Sequence, residues 1–191
     1  MHRFFLNLSR RFAYLGGLML TSLIVMTCLS ILGRKGADLL HGMVAAGWFS
    51  ALAQGMLDLG VGAIRGDFEL VEAGIPFVIF AFLPLCQMTG GHAAVDVFTA
   101  RLPPVTDRLL RAVTEAVFAA VLVVIAVQLG AGMVSKLQSG QTTFLLQFPL
   151  WWAYALSLAG AVMAAVVAVY MAGMRVLEAA AGCELLPKDA A

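Results

Sequence analysis

The chain alternates long uncharged runs with short charged punctuation. Residues 13–32 (AYLGGLMLTSLIVMTCLSIL) carry no charge, and as one helix they match the roughly 30 Å hydrocarbon core of a bilayer. Ahead of this run, MHRFFLNLSRR sets Phe4, Leu8 and Phe12 four residues apart among Arg3, Arg10 and Arg11. That pattern predicts a short amphipathic helix lying on the membrane surface. A second run covers about 68–88. Gly66 precedes it, and Asp67, Glu69 and Glu72 load its first turns, where acids face the positive end of the helix dipole and N–H groups without partners. Pro76 and Pro84 lie inside it and need packing on both faces to satisfy the carbonyls they free. A third run covers about 112–134, after Arg108 and Arg111. The fourth covers about 149–174. It opens on Pro149 at a first-turn position, continues with Trp151, Trp152 and Tyr154 as an interface belt, and closes on Arg175.

Residues 36–64 are long enough to span but hold Asp38, His41, Gln54, Asp58 and several glycines. Leu40, Val44, Trp48, Leu52 and Met56 fall four apart, a stripe that favours a surface-lying or re-entrant helix over a span. Charge placement agrees. With four spans and the N-terminus inside, Arg3, Arg10, Arg11, Arg101, Arg108, Arg111, Arg175 and Lys188 are cytoplasmic. Arg34, Lys35, Arg65 and Lys136 are then outside, which obeys the positive-inside rule. A fifth crossing at 36–64 would move Arg101, Arg108 and Arg111 outside and weaken the bias. The expected fold is therefore an all-α integral membrane domain over 1–191, with four spans and both termini cytoplasmic. A periplasmic insertion at 36–64 and a cytoplasmic interfacial segment at 89–104 complete it. The first run is too long for a signal peptide's apolar stretch of about 7–15 residues and ends in Arg34 and Lys35, so it is expected to be retained.

Composition excludes the soluble classes. The 191 residues are 62% hydrophobic and 12% charged, against about 25% charged in soluble domains, and mean hydropathy is +0.95. A net charge of +1 offers no surface for nucleic acid. Cys28, Cys86 and Cys183 show no paired spacing and read as small apolar residues.

The spans carry little chemistry. Haem would need facing His or Met ligands inside the bundle, and His2, His41 and His92 lie outside the spans, so no cofactor is expected. An ion-coupled carrier keeps a charge near the bilayer centre. Here the deepest acid in the second span is Glu72, about 7 Å along the helix, and Gln128 is the strong polar group of the third span. No internal repeat, phosphate loop or nucleophile–base pair is visible. By elimination the chain reads as a membrane subunit that packs against something else. Gly160, Ala164, Ala168 and Ala172 in the fourth span, and Ala112, Ala116 and Ala120 in the third, recur every four residues. That spacing lets helix backbones approach in lipid, within this chain or against a partner.

Three segments make the reading specific. The second span opens as Gly66-Asp67-Phe68-Glu69-Leu70-Val71-Glu72-Ala73-Gly74 and ends in FLPLCQ at 82–87, with Pro84 inside. Gly91-His92-Ala93-Ala94-Val95-Asp96 follows, then Arg101-Leu102-Pro103. Thr143 precedes Pro149 and Trp151 at the fourth span. In this order and spacing the chain resembles the small membrane subunit, DctQ-like, of tripartite ATP-independent periplasmic (TRAP) transporters. The match is good over 66–104 and moderate over 141–154; elsewhere it rests on hydropathy.

The resemblance implies a non-catalytic scaffold in the bacterial inner membrane. Its partners would be a separate large permease subunit with an elevator-type transport domain and the sodium sites, a transient periplasmic substrate-binding protein, and the lipid bilayer. The system would import organic acids on a sodium gradient. Residues 36–64 look like an insertion, expected to add to the docking platform for the binding protein. Glu69 and Glu72, with Asp67, are placed for polar contacts to the partner. Gly91, His92, Asp96 and Arg101 fix the segment after the second span or its contact with the large subunit, and His92 with Asp96 offers too few ligands for a metal. The competing class is an autonomous small ion-coupled exporter with Glu72 as its coupling acid.

Overall fold

A computed structural model describes residues 2–91 and 103–181. The expectations placed on His92, Asp96 and Arg101, and most of the 89–104 segment, lie outside them. The described residues form five helices and no strand. They are α1 (His2–Ala45), α2 (Ser50–Asp58), α3 (Asp67–Met88), α4 (Pro104–Ser139) and α5 (Leu150–Ala181). Four of them, all but α2, are long and apolar enough to cross a membrane.

Helix α1 joins three pieces that hydropathy separates. It runs unbroken through the amphipathic start, the first span and the beginning of the 36–64 segment. Gly33, Arg34 and Lys35 do not stop it because none is proline, and a helical glycine costs only about 1 kcal/mol. At 1.5 Å per residue its 44 residues reach about 66 Å, twice a bilayer core. Its N-terminal apolar side is covered by protein. Phe5, Leu8 and Phe12 pack on Met88 of α3 and on Met163, Val167 and Met171 of α5, and the Phe5 ring stacks on Tyr170 at 4.6 Å. Phe4, which the four-residue spacing groups with Leu8 and Phe12, is 66% exposed.

The 36–64 segment is a helical hairpin. Its first limb is the end of α1, the chain turns at 46–49 with Phe49 at φ 46°, and α2 packs back on α1. The base closes where the Ile64 N–H donates to Ser30 Oγ (3.2 Å). There the Gly62 carbonyl crosses Gly33 so closely that no Cβ could fit between them. The stripe read from Leu40 to Met56 therefore bridges two helices and a turn, and does not form one face. The turn lies about 18 Å beyond Gly33 along α1.

The long helices stand in a row. α1 packs on α3, α3 on α5, and α5 on α4. Half of the α5 span is buried, against 17% for α1 and for α4. Successive residues of α3 meet opposite neighbours: a Cβ on Gly16 of α1 would fall 2.8 Å from Ala81, and one on Gly160 of α5 would fall 2.9 Å from Phe80 Cβ. These glycines let three backbones approach within one layer. Gly160, Ala164, Ala168 and Ala172 are all buried; the three alanines form a core with Ala119 and Leu122 of α4, against Phe80 and Leu83. The small-residue spacing of α5 is thus spent inside the chain.

Candidate functional site

The first turns of α3 organise the polar chemistry at that end of the row. Two residues apart on a helix is about 200° of rotation, so Asp67 and Glu69 point to opposite sides. Asp67 Oδ2 accepts a hydrogen bond from buried Ser30 Oγ (2.6 Å) and faces Arg34 of α1 at 3.5 Å. Since Ser30 also receives the Ile64 N–H, this one carboxylate fixes α1, the hairpin base and α3 together. Glu69 turns the other way. Its two carboxylate oxygens accept the backbone N–H groups of Leu145 (2.6 Å) and Leu146 (2.9 Å) in the loop between α4 and α5.

That loop is folded on itself. The Thr143 N–H donates to the Phe148 carbonyl, the Leu150 N–H donates to Gln141, and Thr143 Oγ1 accepts the Phe148 N–H. Pro149, which lacks an N–H, lies just before α5, and its carbonyl accepts the Trp152 N–H. Trp151 and Trp152 pack their rings 5.4 Å apart, with Phe148 edge-on to Trp152. Trp152 remains 56% exposed, as an interface residue would.

Glu72 lies one turn deeper, on the Glu69 flank. Among the described residues it makes no hydrogen bond or ion pair. It lines a cavity of about 300 Å³ with Pro76 of α3, Leu129 of α4, and Tyr154 and Ser157 of α5. The three acids that sequence groups together therefore divide into two internal ties and one unsatisfied carboxylate beside a mostly apolar cavity.

The far end of α3 carries a third tie. The Gln87 side chain is 2% exposed, and its Nε2 donates to Glu115 Oε2 of α4 at 2.7 Å. Pro84, three residues earlier in α3, is also buried. Gly90 adopts φ 63° and the Gly91 N–H donates to the Cys86 carbonyl, the left-handed closure that satisfies a helix C-terminus. Sequence reasoning passes over Ser30, Arg34, Gln87 and Glu115. For Glu115 a signal is present, as an acid inside an apolar run is rarely left unpaired. For buried Ser30 no local signal exists.

The arrangement holds helices in place; among the described residues no three His, Cys, Asp or Glu side chains converge as a metal site would require. Comparison with curated proteins and with solved structures finds no match. The family model described as "Tripartite ATP-independent periplasmic transporters, DctQ component" matches residues 23–177, a range that takes in the three ties, the hairpin, α3 and α4 whole, most of α5 and α1 from its middle onward. In agreement with its motifs, the chain belongs to the DctQ family of TRAP transporter components.

Proposed function

We propose that this chain is the non-catalytic scaffold subunit of a sodium-driven, binding-protein-dependent importer of organic acids. It would stand in the bacterial inner membrane against the scaffold of a separate large permease chain. The observation that carries the reading is how the polar groups are used. Asp67, Glu69 and the Gln87–Glu115 pair tie helices to one another, and buried glycines and alanines lock the row. A carrier needs a charged group whose surroundings change as it works; ties of this kind favour a fixed frame. The exposed flanks of α1 and α4 give such a frame broad apolar surfaces for a neighbour. The large partner, sodium coupling and organic-acid cargo are supported by family membership.

The excess of Arg and Lys on one side supports cytoplasmic termini. The hairpin then projects into the periplasm with Trp48, Phe49 and Leu52 exposed, a surface suited to the binding protein. Glu72 is the acid left free to meet the large subunit. The test is a mild-detergent pull-down of the tagged chain from its native membrane, with mass identification, followed by transport assays on the purified chain in liposomes. A stoichiometric many-span partner, and no transport by this chain alone, are the expected results. The free carboxylate at the cavity favours one second reading, an autonomous exporter coupled through Glu72. It requires transport by the chain alone that is abolished by Glu72→Gln.

A further inference from the structure

Residues 116–135 of α4 carry no charge between Glu115 and Lys136, a length that matches the bilayer core. Gln128 sits about 12 Å from Lys136 along the axis, within a few ångströms of the middle of that stretch. Its side chain is exposed and makes no hydrogen bond among the described residues. An amide carries two donors and an acceptor. Hydrocarbon can satisfy none of them, and an unsatisfied polar group there costs several kcal/mol.

The surroundings of Gln128 are ordered. Val117, Val121, Val124, Gln128, Ala131 and Ser135 follow one another at alternating four- and three-residue steps, the spacing of a helix seam. All six are exposed, the three valines at 58%, 50% and 58%. Of the buried residues of α4, Ala119 and Leu122 pack with the α5 alanines instead. α4 ends the row; it packs mainly on α5 and meets α3 through Glu115, so the stripe is left uncovered. A valine seam alone would suit lipid equally well. A mid-depth amide within it suits a protein helix that offers a polar side chain at the same height.

We infer that this stripe of α4 is the seam for one transmembrane helix of the large permease subunit, with Gln128 setting its register by a hydrogen bond to a polar side chain on that helix. The inference rests on the scaffold reading above. The occupant is a different membrane chain because the DctQ family is one component of a multi-part transporter. Leu129, the next residue, lines the cavity that Glu72 of α3 also lines.

The test uses the full tagged chain in its native membrane, with the photo-crosslinker p-benzoylphenylalanine replacing Val124 and Gln128 left intact. Illumination is expected to yield one adduct containing the large subunit. In a second experiment, Gln128→Leu should lower recovery of the large subunit in a stringent detergent by about threefold, the value of one interhelical hydrogen bond in a membrane. The chain's own thermal stability should not move, since Gln128 has no internal partner. An adduct with a second copy of this chain, or none while the large subunit still co-purifies, overturns the seam and leaves the scaffold reading intact. If the wild-type chain recovers no large membrane chain, both fall.

Discussion

Gly160→Ala adds a single methyl group to the middle of α5, and the structure fixes what it meets. The new Cβ would fall 2.9 Å from Phe80 Cβ and 3.5 Å from the Phe80 carbonyl carbon. Carbon atoms rest at about 3.5–4.0 Å, so α5 and α3 must separate by roughly 0.6–1 Å. Neither contact atom is the far end of a flexible side chain, so rotamer change gives no relief. Overpacking of this kind costs about 1–3 kcal/mol. The helix gains about 1 kcal/mol when glycine becomes alanine, so the net change is a loss of up to about 2 kcal/mol. Gly173→Ala provides the control: the same chemical change in the same helix, with nothing within 4 Å of the added carbon. It should be neutral or stabilising. Thermal unfolding in detergent reads the difference, at about 2–4 °C per kcal/mol for a chain of this size. Gly160→Ala should melt below wild type and Gly173→Ala at or above it. If Gly160→Ala melts as high as Gly173→Ala, α3 and α5 are not in the contact described, and the order of the row is wrong.

Other outcomes follow from the same geometry. Glu69→Gln removes the charged acceptor of two backbone N–H groups, so hydrogen exchange at Leu145 and Leu146 should accelerate while amides in the middle of α5 keep their protection. Unchanged exchange would mean that the carboxylate does not hold the loop. Glu72→Gln should leave the melting temperature of the isolated chain unchanged, because no internal bond is lost, and should lower recovery of the large subunit; a destabilised isolated chain would reveal an internal partner. Trp48→Ser with Phe49→Ser should reduce uptake by the assembled transporter without reducing co-purification of the large subunit. Wild-type uptake by that variant would remove the hairpin from the docking platform.

Much of the fold is legible in the order of residues. Charge-free runs of about twenty residues declare bilayer helices because the cost of a charge in hydrocarbon acts on each residue separately. The acids before the second span, the Thr143–Pro149–Trp151 spacing and the Gly66 to Pro103 motifs carry the family resemblance for the same reason: they are local patterns. Helix pairing is not local. Hydropathy splits α1 at Gly33 because charges follow it, yet a helix continues until another conformation competes, and only the return of Gly62 and Ile64 shows what the glycine is for. Phe4 and Phe5 are equally apolar, and which one is covered depends on Tyr170, far along the chain. Asp67, Glu69 and Glu72 look alike as a cluster. Their separation into a tie to α1, a tie to the α4–α5 loop and one free carboxylate arises from rotation about α3 combined with the neighbours on each side. Residue order alone thus places this protein in a membrane, counts four helices of spanning length and points to its family. The sequence of neighbours in the row, the hairpin, and the polar groups left to meet a partner emerge only in the folded chain, because they depend on complementarity between residues distant in sequence.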